Sequence, residues 1–578
     1  RVQNGSLSFQ IKSGNTSGLG PVIRSLGGLN GTSFNHRANW FLGDDSKSRW
    51  NQVSTAPQPA ADTWHEVKIV FQGDQYWLQY GDVTWEGTYT GLNTGKGFCG
   101  VRITDGEKGD PVYLTDVKVT TTDDVIINPD ETPHDNTLKL WYDNPAYDWQ
   151  SEALPIGNGY MGAMVFGQVQ NEVIQINDKT LWMGGPGSVE DYTGGIQEGA
   201  FENLDEMREA LRNGDSATVN ALAGSLAGKS LDTNGWGSYQ NIGDINIEFH
   251  NIPKGARIDQ YRRELDLLNG IARTAYQYDG VNFAREYFIS YPDNVMAFKL
   301  ASDEAGSMSF RLNPEIDTVY PSGQPDTPST IDPSKPVKEY TRTAEDGKIT
   351  IQGYITENGM KFEVQYQVVT DGTVTNNEDG TITVTGAQEA VIYVATGTDY
   401  RNESSEWTDL HNPPDYRGED PHEDVSTRIA NALEKGYDAI RADHVQDFSS
   451  IMKRVTLDIG QGANDTPTDE LVMNYKNTGD KNLEVLLFQY GRYLLLSSSR
   501  EGSLPANLQG VWNNSNKPAW SGDYHFNVNI QMNYWPAFVT NLKETGQPLI
   551  DYVESLVTPG RLTAAEHHGI TAGGWTVH

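Results

Sequence analysis

A chain of 578 residues is too long for one ordinary domain and predicts three or four. Its net charge of −35 argues against nucleic acid and anionic membrane surfaces as partners and suits a soluble protein with a neutral or cationic one. The single cysteine, Cys99, excludes an internal disulfide and a cysteine-based zinc site, and the lack of a long apolar run excludes a transmembrane helix.

Residues 1–122 read as strands separated by Gly, Asn and Asp turns. In "WHEVKIVFQGDQYWLQYGD", Val67, Ile69 and Phe71 alternate with polar neighbours, Gly73-Asp74 turns the chain, and Tyr76, Leu78 and Tyr80 alternate again. That is a β-hairpin pattern, and many such runs predict a jelly-roll-like or lectin-like sandwich. "TTTDDVIINPDETPHDNT" then reads as a linker. Residues 136–400 are again mostly β and predict a large two-sheet sandwich, with one helical insertion, "LDEMREALRNGDSATVNALAGSL", carrying Met207, Leu211, Val219, Leu222 and Leu226. Residues 401–465 read as a helical linker in which Ile429, Leu433, Tyr437, Ile440, Val445 and Phe448 recur at helical spacing. Beyond 466, "LEVLLFQYGRYLLLSSS" reads as a buried helix and "PLIDYVESLVTPGRLTAAEHHG" as a further one. So few helices bury little, so the chain is expected to continue past His578. No signal peptide precedes Arg1, which fits either a leader that has been removed or a chain cut to a chosen start.

Two glycine-rich motifs do not carry nucleotide chemistry. "GNGYMG", Gly157 to Gly162, fits G-x-G-x-x-G, but an alternating hairpin pattern follows it where a phosphate site needs a helix, so tight turns are expected. "AGSLAGKS", Ala223 to Ser230, ends a helix rather than opening one; Gly228 reads as its stop, with Lys229 at the negative dipole end. "EHHG", Glu566 to Gly569, reads as a helix end rather than a metal site.

"YHFNVNIQMNYW", Tyr524 to Trp535, reads as a short strand. His525, Asn527 and Asn529 would then share one face and Phe526, Val528 and Ile530 the other, packed inward. Asn is a poor strand former, which weakens an ordinary half-buried strand and favours a site. A carboxamide oxygen can accept a hydrogen bond from water and orient it, but it needs a carboxylate on its N–H to gain basicity. Such a water could attack an acetal carbon with an acid on the opposite side, the inverting arrangement.

"LPANLQGVWNNSNKPAWSGDYHFNVNIQMNYWPAFVTNL", Leu504 to Leu542, resembles the catalytic-domain signature of glycoside hydrolase family 95, the 1,2-α-L-fucosidases. "LWYDNPAYDWQSEALPIGNGYMGAMVFG", "INDKTLWMGGPG", "NIGDINIEF" and the stretch from Tyr261 to Leu300 extend the resemblance from about residue 138 to the end. The resemblance implies an N-terminal β-sandwich, a helical linker and an (α/α)6 barrel, whose first part would be residues 466–578. It implies that Asn527 and Asn529 help to activate the water and that His525 touches the sugar. The family's catalytic glutamate and the aspartate that polarises the asparagines lie further downstream than His578, and neither role falls to Glu566 or Asp551. Glu501 stands where a proline is expected after Arg500, which bears on the shape of that loop alone.

The expectation is therefore an inverting exo-glycosidase, secreted or surface-attached in a bacterium, that removes terminal α-1,2-linked L-fucose from oligosaccharides or glycoproteins without a metal or organic cofactor. Trp512 and Trp535 could wall the pocket or serve as core. An α-L-galactosidase of the same family and a non-catalytic carbohydrate-binding protein are the alternatives. The sandwich at 1–122 could be a carbohydrate-binding module, with Trp64, Trp77 and Trp85 either stacking on sugar or packing in its core.

Overall fold

The computed structural model describes residues 138–226, 237–319 and 336–577, and between residues 4 and 121 the backbone of the strands. The chain forms two compact units, Arg1–Pro133 and His134–His578. In the first, Val83–Thr88, Gln75–Tyr80, His65–Gln72, Asn4–Ser13 and Val112–Thr121 lie side by side in one antiparallel sheet. The predicted hairpin is there, with Val67 opposite Tyr80, Ile69 opposite Leu78 and Phe71 opposite Tyr76. The linker, Trp64 and the side-chain roles of Trp77 and Trp85 lie outside the described residues.

The second unit is built on two antiparallel sheets. One has nine strands, in the order Lys139–Tyr142, Asp259–Asp266, Ile271–Tyr278, Val281–Ser290, Val295–Ser302, Glu389–Thr398, Lys361–Thr370, Lys348–Ile355 and Lys338–Glu345. The other has seven, from Leu154–Gly157 through Met161–Val165, Asn171–Asp178, Gly243–Phe249, Met308–Ile316 and Ile382–Ala387 to Thr373–Asn376. Alternation sets the inner faces: Ile245, Ile247 and Phe249 point inward to meet Phe298, Leu300, Ile392 and Val394 in one core.

The strand Glu389–Thr398 is buried on both faces. Helices α3 (His422–Lys435) and α4 (Tyr437–Met452) supply the second cover, Val425, Ile429, Ala432 and Ile440 packing on Val391, Tyr393 and Ala395. Gly436, at φ 78°, separates the two helices. The insertion is likewise two helices, α1 (Leu204–Asn213) and α2 (Ser216–Leu226); Met207 is buried but Leu211 is exposed. Lys229 and Ser230 lie outside the described residues.

The helical region continues with α5 (Thr468–Thr478), α6 (Lys481–Ser498), α7 (Asn529–Val539), α8 (Gln547–Ser555) and α9 (Val557–His568). Asp480 caps α6 by accepting the Asn482 N–H at 2.8 Å. The last predicted helix is the pair α8 and α9, and Gly569 at φ 69° ends it. No helix of the described residues is long and apolar enough to cross a membrane.

Glycines dock this region onto the sheets. A Cβ on Gly157 would lie 2.5 Å from the Ser497 carbonyl oxygen, and one on Gly162 would lie 2.6 Å from Val511. The "GNGYMG" glycines therefore do more than turn the chain: they let a hairpin touch the end of α6 and the loop beyond it.

Candidate functional site

The chain leaves α6 and crosses the rim of the seven-stranded sheet before it reaches the asparagines. Arg500 anchors the crossing. Its guanidinium donates to both Asp447 oxygens, at 2.9 and 2.7 Å, and lies over the Tyr291 ring at 3.8 Å. The Glu501 carbonyl accepts from the hydroxyls of Tyr160 at 3.1 Å and Tyr291 at 3.2 Å. Its backbone and its neighbour thus fix this loop, and the exposed Glu501 side chain is not what shapes it.

"VWNNSN" is then clamped by buried amides. The Asn513 N–H donates to Asn177 Oδ1 at 2.9 Å, and its carbonyl accepts from Gln175 Nε2 at 2.9 Å and Asn177 Nδ2 at 2.8 Å. Asn516 donates to the carbonyls of Asp317 and Val319 and accepts from Lys338 Nζ. Trp512 is only 7% exposed, packs with Ala146, Met164 and Phe166, and donates its indole N–H to the Ile156 carbonyl at 2.9 Å. Of its two readings the structure fits the core one: its face is occupied by apolar neighbours and its donor is used.

The stretch Tyr524–Trp535 is not a strand. Phe526 to Val528 form a turn and α7 begins at Asn529. The inward residues are Ile530, Tyr534 and Ala537, a helical stripe. Val528 is exposed and Phe526 is half-buried on the Tyr552 ring. Tyr534 fixes the helix by accepting the Ala506 N–H at 2.8 Å and sharing a hydroxyl bond with Ser499 at 2.7 Å. Trp535 is 63% exposed, beside Met532 and Phe538 on the outward side.

Asn527 lies in this turn and Asn529 is the first residue of α7, so the two do not share a strand face as expected, and both are exposed. Among the described residues neither carboxamide has a hydrogen-bond partner. Both are therefore open to water, and no carboxylate of the described residues bonds to them. Glu566 is engaged by the Gly199 N–H at 2.7 Å and Asp551 by Gln547 Nε2 at 2.6 Å. His567 accepts from the Gln197 N–H at 3.0 Å, so "EHHG" is a helix end docked on a loop. No group of three or more possible metal-ligating side chains occurs among the described residues.

His525 has a partner that the sequence reading missed. Its Nε2 lies 2.5 Å from Asp523 Oδ1. Burial pushes the Asp523 carboxyl above its ordinary range, and the histidine opposes that shift. The imidazole and the Trp520 ring meet at right angles, centroids 5.8 Å apart at 87°. Tyr524 anchors the stretch from below, stacked on Trp182 at 5.8 Å and donating to the Pro505 carbonyl at 3.0 Å. The D-x-H spacing was the available signal for Asp523, but a strand reading sets those two side chains on one face without making them touch.

Residues 436–578 match the model of the glycosyl hydrolase family 95 catalytic domain, and residues 140–403 match that of the glycosyl hydrolase family 65 N-terminal domain. Alpha-L-fucosidase 2 of Arabidopsis thaliana is 33% identical over 461 residues, 76% of this chain and 51% of that protein. Probable alpha-fucosidase A of Aspergillus niger is 33% identical over 453 residues, 76% of this chain and 53% of that protein. The namesake from Aspergillus oryzae is 32% identical over 453 residues, 76% and 58% of the respective chains. The chain thus spans about half the length of the curated relatives it matches.

Proposed function

Because this chain belongs to glycoside hydrolase family 95, we propose that its protein hydrolyses α-L-fucosides, and specifically removes terminal fucose linked α-1,2 to galactose with inversion. The observation that carries this reading is the pair of unengaged carboxamides, Asn527 and Asn529, beside the Asp523–His525 pair at the start of α7. The two amide oxygens hold the attacking water. His525 binds a hydroxyl of the fucose, oriented by Asp523. A carboxylate that takes up the amide N–H groups and a carboxylic acid that protonates the leaving oxygen complete the reaction, and both come from residues beyond His578. Protonation of the glycosidic oxygen and attack by water from the opposite face break one C–O bond and make another at the anomeric carbon. In this reading α5–α9 form the first part of an (α/α)6 barrel, and the protein works at the cell surface or outside it.

The test is the full-length protein acting on 2′-fucosyllactose, followed by NMR from the first turnovers. Free β-fucose should appear before the α anomer. Asn527→Ala and Asn529→Ala should each lower kcat by about 100-fold or more with little change in KM, the range set by loss of a group that assists proton transfer. Release of the α anomer first, or no release at all, would overturn the proposal.

A further inference from the structure

Trp520 occupies a conformation that neither its local sequence nor its packing favours. Its φ is 53° and its ψ 35°, Ser521 follows at φ 59°, and Gly522 at φ 60°. Glycine adopts such a backbone freely, but in the two L residues it crowds the Cβ and is strained. The surroundings hold the turn in place: the Ser521 carbonyl accepts the Tyr239 N–H at 2.9 Å, and the Ser521 N–H donates to the Pro518 carbonyl at 3.0 Å. Gly522 fits closely against Tyr239, where a Cβ would approach within 3.1 Å.

The strain does not bury anything. It leaves the largest of the side chains 78% exposed, with His525 as its ring partner at right angles. An indole in water forgoes the stabilisation that burial would bring. Strain and exposure together, next to the histidine that precedes Asn527 by two residues, point to a ligand that covers the ring. The uncharged apolar face of an indole suits the C–H face of a pyranose. The neighbouring imidazole and carboxylate suit its hydroxyls.

We infer that Trp520 is the stacking platform for the sugar ring that carries the departing fucose. The inference rests on the proposed function for the identity of the reaction, and it adds the subsite that selects the leaving group. His525 reaches the fucose from one side, while the indole, perpendicular to it, extends outward, where the remainder of the oligosaccharide emerges.

Two substrates separate the roles. 2′-Fucosyllactose leaves a sugar; α-L-fucosyl fluoride leaves an ion with no ring to stack. Trp520→Ala should lower kcat/KM about tenfold on the first, as expected for loss of a stacking contact worth about 1.4 kcal/mol. On the fluoride it should change kcat/KM less than about twofold, and Trp520→Phe should recover most of the loss on the oligosaccharide. Equal losses on both substrates, or none on either, would overturn the platform. A wild-type protein that hydrolyses neither substrate defeats the functional reading instead, and a binding measurement then decides the platform. Titration with lactose should change tryptophan fluorescence in the wild type and not in Trp520→Phe; identical titrations would remove the inference.

Discussion

At the residue scale, the segment that carries the asparagines depends on Arg500. Its side chain is 4% exposed and pairs with an Asp447 that is 21% exposed. Removing one partner of such a pair strands the other charge in a poorly hydrated place. Arg500→Ala should therefore destabilise the protein by about 3 kcal/mol, read as a shift of the urea midpoint. An unchanged midpoint would show that water already screens the pair. His525, Asn527 and Asn529 were legible as a polar group in an otherwise apolar stretch. Asp523 was not, because a charge two residues from a histidine becomes a partner only when the backbone between them bends. Trp512 and Trp535 were ambiguous by residue type alone. The first found an acceptor and an apolar bed; the second lies outward on a helix whose inner stripe was already full.

At the element scale, period decided most assignments and failed where two periods coincide. "HFNVNI" alternates like a strand, yet the residues that bury from there on are Ile530, Tyr534 and Ala537, spaced by four and three. A window of seven residues satisfies both templates; only the longer run to Val539 selects the helix. Three of the helical patterns each divided in two, at Gly214, at Gly436 and at Leu556, because apolar spacing continues across a break that the backbone does not. The glycine motif at 157–162 kept its hairpin but acquired a second purpose, close approach to α6. Gly157→Ala should force a Cβ against the Ser497 carbonyl and cost about 1–3 kcal/mol, the usual price of overpacking. Thermal melting checks this, and a Tm equal to that of the wild type would mean that α6 can retreat without loss.

At the scale of the whole molecule, the sandwich-then-helix order was legible because the repeat of apolar residues changes near residue 424. The cover of α3 and α4 over the nine-stranded sheet was legible only in retrospect, from the unbroken apolar run of "AVIYVA" that signals burial on both faces. What no pattern revealed is that two lysines lie inside. Lys179 Nζ donates to the Ser498 carbonyl, and Lys338 Nζ to Asn516 and to the Asp317 carbonyl. Burial lowers each from the ordinary 10.5 to about 7. The unfolded chain then binds more protons than the folded one between pH 7 and about 10.5, so stability from these groups rises with pH across that window and is flat below it. The urea midpoint should climb from pH 7 to 9.5, and Lys179→Met should flatten the climb; a midpoint that stays level in the unmutated protein would show that both ammonium groups remain charged inside.

The clamp around Asn513 and Asn516 has a consequence for ancestry. Its donors and acceptors are divided between a loop of the helical half and strands of the sandwich, so neither half carries a complete set. A recombination event that joined this helical half to a foreign sandwich would leave several inward-facing amides unanswered. The two segments can be exchanged among descendants only as a matched couple, which makes their seam a poor crossover point for engineers and for evolution alike.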